Sequence, residues 1–376
     1  MRIAIITNSR IPSLTANSIQ AMKVCQALAQ LGHEIRLFAP READSCRWDA
    51  LAAHYGLSTP FEITWLPSVR ALKRYDFTLY SILASRKFKP DMIYTWLLNA
   101  AVVALWLGWP AVLEMHAEVT GHTGPWLMRR FWRSSTQKRM LATTRPLRDS
   151  IERVAGLKFP EEAVQIAPNG VDLDQYESLP SAAEARRQLG LEEKQTVGFT
   201  GHIYPGRGAD LLFELSLRMP EVNFLWVGGK PDEVGYWRDR LAGAGASNVA
   251  MTGFVENSRL PLYQAAADVL LMPYGRSVSA SSGQDITEVI NPMKMFDYMA
   301  AGRAILSANL PVIHEVLNES NAVFCEPGDV TAWERMLREL LDDEARRFAL
   351  SAQARKDVRG YTWTARAERA LEGFGR

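Results

Sequence analysis

Short apolar runs of four to seven residues alternate along this chain with segments whose apolar positions recur three or four apart. The first run, RIAIIT, precedes a helical pattern over about Ser18 to Leu31, and HEIRLFA, MIYTW, AVLEM and RMLATT follow. Runs of this kind predict buried strands, and strand followed by helix, repeated, predicts a parallel sheet with helices on both faces. After the polar stretch ESLPSAAEARRQLGLEEKQ the rhythm restarts with TVGFTG, NFLWVGG, NVAMTG, DVLLMPY, AILSA and AVFCEP. The chain therefore reads as α/β, with two Rossmann-like domains at residues 1–178 and 179–355. Residues 356–376 read as a closing helix packed back on the body, because Trp363, Ala367 and Leu371 fall at helical spacing. Ligands of such sheets bind beyond the carboxyl ends of the strands, so the expectation is two domains facing each other across a cleft.

Length agrees with two domains, since 376 residues exceed what one hydrophobic core usually spans. One stretch tests the soluble reading: Met92 to Met115 is apolar and nearly long enough to cross a bilayer. Asn99, Gly108 and Pro110 divide it into strand, helix and strand, which is a βαβ unit instead. The opening MRIAIITNSR turns polar too soon for a signal peptide. With 47% hydrophobic and 23% charged residues and no low-complexity tract, the composition excludes disorder and coiled coil. A net charge of +1 argues against nucleic acid as a partner. Cys25, Cys46 and Cys325 are odd in number and widely spaced, which suits a reducing cytoplasm.

The loops after the strands carry the candidate chemistry. After TVGFT, the segment GHIYPGRGAD offers Gly201, Gly206 and Gly208, where backbone N–H groups can approach an anion, and Arg207, a permanent cation suited to phosphate. A tight strand-to-helix connection is the plainer reading of the same glycines, which do not match the dinucleotide fingerprint. In ITEVINPMKMFDYMAAG, Asn291 is placed as N-cap and Pro292 in the first turn, so that a helix start points N–H groups and a positive dipole end at an anion. Asp297, further along that helix, can accept hydrogen bonds from a ribose, and Glu288, in the loop before it, can reach a sugar. Either acid can equally serve the helix dipole. His116 directly follows the strand VLEM, as a loop histidine or as a group beside reacting atoms. The loop SRIPSLTANS contributes Ser13, Asn17 and Ser18 to a site, or else Asn17 or Ser18 caps the first helix. No cluster of His and carboxylates offers the ligand count of a zinc or iron site, so no metal is expected.

Taken in order, these segments resemble family 4 of the glycosyltransferases, retaining enzymes of the GT-B fold that use nucleotide-sugar donors. TNSRIPSLTANSIQAMKVCQALAQLGHEIRLFAP is similar to the family's first strand, acceptor-side loop and first helix, and APNGVD to the segment leading out of the first domain. GHIYPGRGAD is similar to its phosphate loop, EVINPMKMFDYMAAGRAIL to its donor-binding stretch and YTWTARAERAL to its closing helix. The resemblance implies an N-terminal acceptor-binding domain and a C-terminal donor-binding domain. It implies a nucleoside-diphosphate sugar as donor substrate, a sugar or lipid-linked sugar as acceptor, and neither metal nor other cofactor. It assigns His116, Glu288 and Arg207 to catalysis. It assigns Gly201, His202, Gly206, Gly208, Gly228, Pro292, Met293, Lys294 and Asp297 to the donor, and Ser13, Asn17 and Ser18 to the acceptor side.

The chain also departs from the family pattern. His202 stands where the family places the first of two cations, with Arg207 at the second. The usual two glutamates separated by seven residues become Glu288 and Asp297, separated by eight, with Asp285 as the fallback for the first acid. Transfer to a cell-surface polysaccharide, lipopolysaccharide or glycolipid is the expected activity. A nucleotide-sugar epimerase of the same architecture and a non-catalytic relative acting as a partner protein are the alternatives. Finally, GPWLMRRFWRSSTQKRM interleaves Arg129, Arg130, Arg133, Lys138 and Arg139 with Trp126, Phe131 and Trp132. With ALKRY and SRKFKP it suits peripheral contact with an anionic membrane at its inner face, or a helix that packs its aromatics inward and solvates its charges.

Overall fold

A computed structural model describes residues 1–41, 46–69, 75–119, 121–203, 206–279 and 283–375. They divide into two units, Met1–Asn169 with Trp363–Arg376, and Gly170–Thr362. In the first, β1 (Arg2–Ile6), α1 (Ala16–Gln30), β2 (Glu34–Pro40), α2 (Trp48–Tyr55), β3 (Glu62–Leu66) and α3 (Tyr75–Phe88) are followed by β4 (Met92–Thr95), α4 (Leu98–Trp106) and β5 (Ala111–Met115). Then come α5 (Gly124–Arg133), β6 (Lys138–Ala142), α6 (Arg145–Ala155) and β7 (Val164–Ile166). The strands form a parallel sheet in the order β3-β2-β1-β4-β5-β6-β7. Every residue of β4 and β5 is buried, which is why both read as mostly apolar runs, with Glu114 the charged exception in β5. Right-handed crossovers place α1 and α2 on one face and α3 to α6 on the other. The apolar stretch from Met92 is the βαβ unit β4-α4-β5, and among the described residues no helix is long and apolar enough to cross a membrane.

The second unit runs α7 (Ala182–Leu189), β8 (Thr196–Thr200), α8 (Ala209–Arg218), β9 (Asn223–Val227), α9 (Pro231–Gly243), β10 (Val249–Gly253), α10 (Leu260–Ala265) and β11 (Val269–Met272). It continues with α11 (Met293–Ala301), β12 (Ala304–Ala308), β13 (Val323–Cys325), α12 (Val330–Asp342) and α13 (Glu344–Asp357). Its sheet is also parallel, in the order β10-β9-β8-β11-β12-β13. Strand order reverses between β8 and β11, as it does between β1 and β4. In doubly wound sheets the ligand crevice opens beyond such a point.

The chain leaves the first unit at Asn169, nine residues before the expected boundary at 178, and returns at Trp363 rather than at 356. The Val171 N–H bonds to the Tyr361 carbonyl at 3.0 Å and Val171 bridges Thr362, which ties residues 170–178 and 356–362 to the second unit. The last helix, α14 (Trp363–Leu371), then packs on α1, burying Trp363, Ala367 and Leu371 together with Arg366. Two caps differ from the sequence reading. α1 begins at Ala16 after Thr15, so neither Asn17 nor Ser18 caps it: Asn17 is exposed, and Ser18 is buried against Ser13. α11 is flanked by Pro292, not Asn291, since proline's fixed φ suits the position just before the first helical residue.

Candidate active site

In the second unit the loops after β8 and β11 meet backbone to backbone. The Gly275 N–H donates to the Gly206 carbonyl at 2.9 Å. Gly206 has φ +76°, and a Cβ there would lie 1.9 Å from the Ser277 carbonyl oxygen. At Gly208, φ +92°, a Cβ would lie 2.0 Å from the Pro273 carbonyl oxygen. Close approach of the two loops thus requires both glycines before any ligand is considered. The same holds at the ends of β8 and β9, where a Cβ on Gly228 would lie 2.3 Å from the Gly201 carbonyl oxygen. Tyr204 and Pro205 of the GHIYPGRGAD segment lie outside the described residues.

This packing brings two cations together. Lys294, in the first turn of α11, carries its Nζ atom 3.9 Å above the ring of Phe199 and 5.6 Å from that of Tyr274. A Cβ on Gly201 would stand 2.9 Å from that Nζ. The atom is buried and has no hydrogen-bond partner among the described residues. Burial pushes its pKa well below the ordinary lysine value, the nearby Arg207 charge pushes in the same direction, and Asp297 opposes them. Arg207 lies 5.5 Å from the same Tyr274 ring and donates from Nη2 to the Ser279 carbonyl at 3.2 Å. No acidic side chain occupies the first turn of α11, whose flanking residue is Pro292. Asp297 lies beside Tyr176, whose hydroxyl donates to Gln264 at 3.0 Å and is pushed upward by burial and by that carboxylate. His202 is half-buried and has a partner of its own.

The two candidates for the first acid differ in what they hold. Asp285 accepts from Ser277 Oγ at 2.5 Å and from the Thr287 N–H and Oγ1 at 2.9 and 2.6 Å. Those hydrogen bonds bring its carboxyl down to about 2. Glu288, in the short 3₁₀ turn Thr287–Val289, is exposed, and its carboxylate has no partner among the described residues.

In the first unit, His116 leaves β5 with its Nε2 on Glu114 Oε1. Glu114 is fully buried and is paired with Arg366 of α14, whose Nη2 and Nη1 reach Oε1 and Oε2 at 2.7 and 3.1 Å. Tyr94 of β4 also donates to Oε2. Burial alone would raise the Glu114 carboxyl, but Arg366 and His116 outweigh it and hold it far below the usual range. Glu114 and Arg366 were missed in the sequence, although a glutamate inside an apolar strand and an arginine on the apolar stripe of the last helix were visible signals.

The loop after β1 that contains Ser13 is internally bonded. The Ser13 N–H donates to the Tyr55 hydroxyl at 2.8 Å, and Ser13 Oγ donates to Ser18 Oγ at 2.9 Å. Beyond the ends of β4 and β5 lies a cavity of 270 Å³ lined by Tyr75, Trp96, Asn99, Met115, Glu118 and Leu127 among others, which sequence reading did not anticipate. The basic aromatic segment is divided. Phe131 is buried and Trp132 stacks on Phe159 at 4.5 Å, whereas Trp126 is exposed beneath Arg130 at 5.1 Å. Arg139 is spent on the α14 carbonyls of Arg369 and Ala370. Lys73 and Arg74 of ALKRY lie outside the described residues. Among the described residues no group of three His, Cys, Asp or Glu side chains is placed to hold a metal ion.

Two family models match this chain in sequence. One, described as Glycosyltransferase Family 4, covers residues 18–175, and the other, described as Glycosyl transferases group 1, covers residues 194–343. The chain belongs to the family 4, group 1 glycosyltransferases. Among relatives, a D-inositol 3-phosphate glycosyltransferase of Xylanimonas cellulosilytica is 28% identical over 247 residues, covering 62% of this chain and 56% of that protein. The sulfoquinovosyl transferase SQD2 of Arabidopsis thaliana is 24% identical over 297 residues, covering 74% and 55%. The matches thus span about half the length of these relatives. In structure, Anabaena HepE in complex with UDP and glucose superposes with a TM-score of 0.74 at 16% identity, covering 99% of this chain and 98% of that one. A glycosyltransferase of Rickettsia africae gives 0.75 at 12% identity, covering 99% and 98%. Two parallel-sheet α/β units of these topologies are the GT-B fold of such glycosyltransferases.

Proposed function

We propose that the protein is a retaining glycosyltransferase that moves a sugar from a nucleoside-diphosphate sugar to an acceptor hydroxyl, in the synthesis of a cell-surface polysaccharide, lipopolysaccharide or glycolipid. The observation that carries this reading is the pair Arg207 and Lys294 beside one helix start, with the Lys294 ammonium buried and lacking a hydrogen-bond partner among the described residues. Burying a cation without a partner is costly, and a diphosphate removes that cost on arrival. The fold likeness to HepE, solved with UDP and glucose, supports the same ligand class.

In this reading the diphosphate gains charge as the sugar leaves, and Arg207, Lys294 and the start of α11 at Pro292 and Met293 are aimed where that charge grows. The protein's own cations supply this stabilisation, so the step calls on no metal. Asp297 holds the ribose, Glu288 the donor sugar, and His116 a hydroxyl of the sugar or acceptor. The acceptor attacks from the face the diphosphate leaves, the leaving phosphate oxygen takes its proton, and configuration is retained. Asp285, already committed to Ser277 and Thr287, shapes the loop that presents Glu288. The cavity beside Trp96 offers an aromatic face to an acceptor sugar. We place contact with an anionic membrane, at its cytoplasmic face, on α3 and α5, where Leu79, Leu83 and Trp126 are exposed near Arg86, Lys87 and Arg130.

A thermal-shift screen against UDP, GDP, ADP and their sugar derivatives tests the reading, with Asp297→Ala and Arg207→Ala as controls. Stabilisation by one nucleotide, lost in both variants, is the expected result. No stabilisation by any nucleotide contradicts it.

A further inference from the structure

Glu114 is the penultimate residue of β5, and His116, the first residue beyond the strand, lies in a bend. The imidazole meets the carboxylate there, with Nε2 on Glu114 Oε1. Its remaining capacity is filled by both Arg366 nitrogens and by the Tyr94 hydroxyl, and Arg366 is itself fixed by Nε donating to the Pro168 carbonyl at 2.9 Å. The side chains of Glu114 and Arg366 are 0% and 2% exposed, so this pair works without water between its members. An ionised carboxylate accepts hydrogen bonds and donates none. Nε2 of neutral His116 must then carry the ring hydrogen, which leaves the lone pair on Nδ1, an atom with no partner among the described residues.

We propose that Glu114 and Arg366 are positioning residues for His116: the carboxylate, kept ionised by the guanidinium, holds the ring as its Nε2–H tautomer, so that His116 offers Nδ1 as a hydrogen-bond acceptor to a substrate hydroxyl. This deepens the functional reading above and rests on its placement of His116 beside the reacting sugar. The hydroxyl donates to Nδ1 while Nε2–H continues to donate to Glu114, and no covalent bond changes in either contact. Arg366 belongs to α14, so the last helix of the chain acts on the site from behind β5 in addition to covering α1.

Long-range ¹H–¹⁵N correlation spectra of histidine-labelled protein, with His116→Gln for assignment, report which ring nitrogen bears hydrogen. The wild type is expected to show Nε2–H in its neutral form. Glu114→Gln, whose amide can donate to the ring as well as accept from it, is expected to admit the Nδ1–H form. It is also expected to lower donor turnover about 10- to 100-fold with little change in KM for the donor, as loss of an orienting partner does elsewhere. Arg366→Lys keeps a cation and is expected to retain the Nε2–H form and most of the turnover, whereas Arg366→Met is not. A wild-type ring protonated at Nδ1 overturns the inference, as does a folded Glu114→Gln protein with unchanged tautomer and turnover. If Glu114→Gln does not fold, the wild-type spectrum decides, together with Tyr94→Phe, which removes one donor to the carboxylate and should keep Nε2–H. A protein with Nε2–H that binds no nucleotide sugar overturns the transferase reading and leaves the tautomer assignment standing.

Discussion

Lys294 holds its ammonium 3.9 Å above the ring of Phe199, with no hydrogen-bond partner among the described residues. A cation held over an aromatic face gains some attraction from the ring, but not enough to replace its lost hydration. The free protein therefore holds at this place an amine whose charged form burial disfavours until the proposed diphosphate enters.

Replacing Lys294 by Met, which keeps the stem and removes the charge, should stabilise the free protein by about 1–3 kcal/mol at pH 7, the usual cost of an unsatisfied buried polar group. The native state lowers this lysine's pKa, so the unfolded chain binds more protons in the interval between the two values. Wild-type stability should accordingly rise with pH from the lowered native value up to about 10.4, the ordinary lysine value. Urea denaturation at pH 7 and pH 10 checks this, with Lys294→Met lacking the Lys294 part of the rise.

Arg366→Met should cost about 3–5 kcal/mol at pH 7, because it leaves the Glu114 carboxylate buried without its cation. In the wild type the Glu114 pKa is held low, and its contribution is lost only as pH falls below about 4.3, the ordinary glutamate value. In the variant the unpaired carboxyl is raised by burial, so the native state holds the extra proton and the deficit should shrink as pH falls from 7 toward 5. Denaturation midpoints across that range separate the two signs.

Gly206→Ala should abolish nucleotide-dependent stabilisation, since its Cβ would lie 1.9 Å from the Ser277 carbonyl oxygen and force the loops after β8 and β11 apart. Gly245 has a similar φ of +74°, with nothing within 4 Å of its added Cβ. Gly245→Ala should thus cost only the about 1–2 kcal/mol of a left-handed alanine and leave ligand response intact. Thermal shifts of the two variants with and without nucleotide make the comparison.

Glu288→Gln should fold and bind nucleotide as the wild type does while slowing transfer at least about 100-fold, of the order lost when one group acting on the transition state is removed. Asp285→Ala should instead weaken nucleotide binding, because it releases Ser277 and Thr287 from the loop. Because Asp285 is held down to about 2, loop order should persist at neutral pH and be lost as pH falls from about 4 toward 2. Binding and initial-rate measurements on both variants assign the two acids.

The alternation of strands and helices made both parallel sheets legible from the order of apolar runs, since central strands such as β4, β5 and β11 are buried along their whole length. The edges were less legible. β3 has no fully buried residue and β7 has three residues, so neither presents an apolar run. In the candidate site, Arg207 and Glu288 are legible as candidates because each sits on a loop with a local motif, and Lys294 is named only through the family resemblance. Glu114 and Arg366 are not legible, because their pairing joins residues 252 apart in sequence, and no local periodicity encodes such a contact. The chemistry of the Asp285 loop was hidden for a different reason. Only hydrogen bonds of known geometry show that its carboxylate is occupied while that of Glu288 is without a partner among the described residues.

Calorimetric titration of the best-binding nucleoside diphosphate into the wild type and Lys294→Met tests the central claim most directly. Loss of one charge-assisted hydrogen bond corresponds to an affinity about 10- to 150-fold weaker in the variant. In buffers of different ionisation enthalpy, the wild type should take up protons on binding and the variant fewer. Equal affinity and equal proton uptake in the two proteins would contradict the assignment of Lys294 and the start of α11 to the diphosphate.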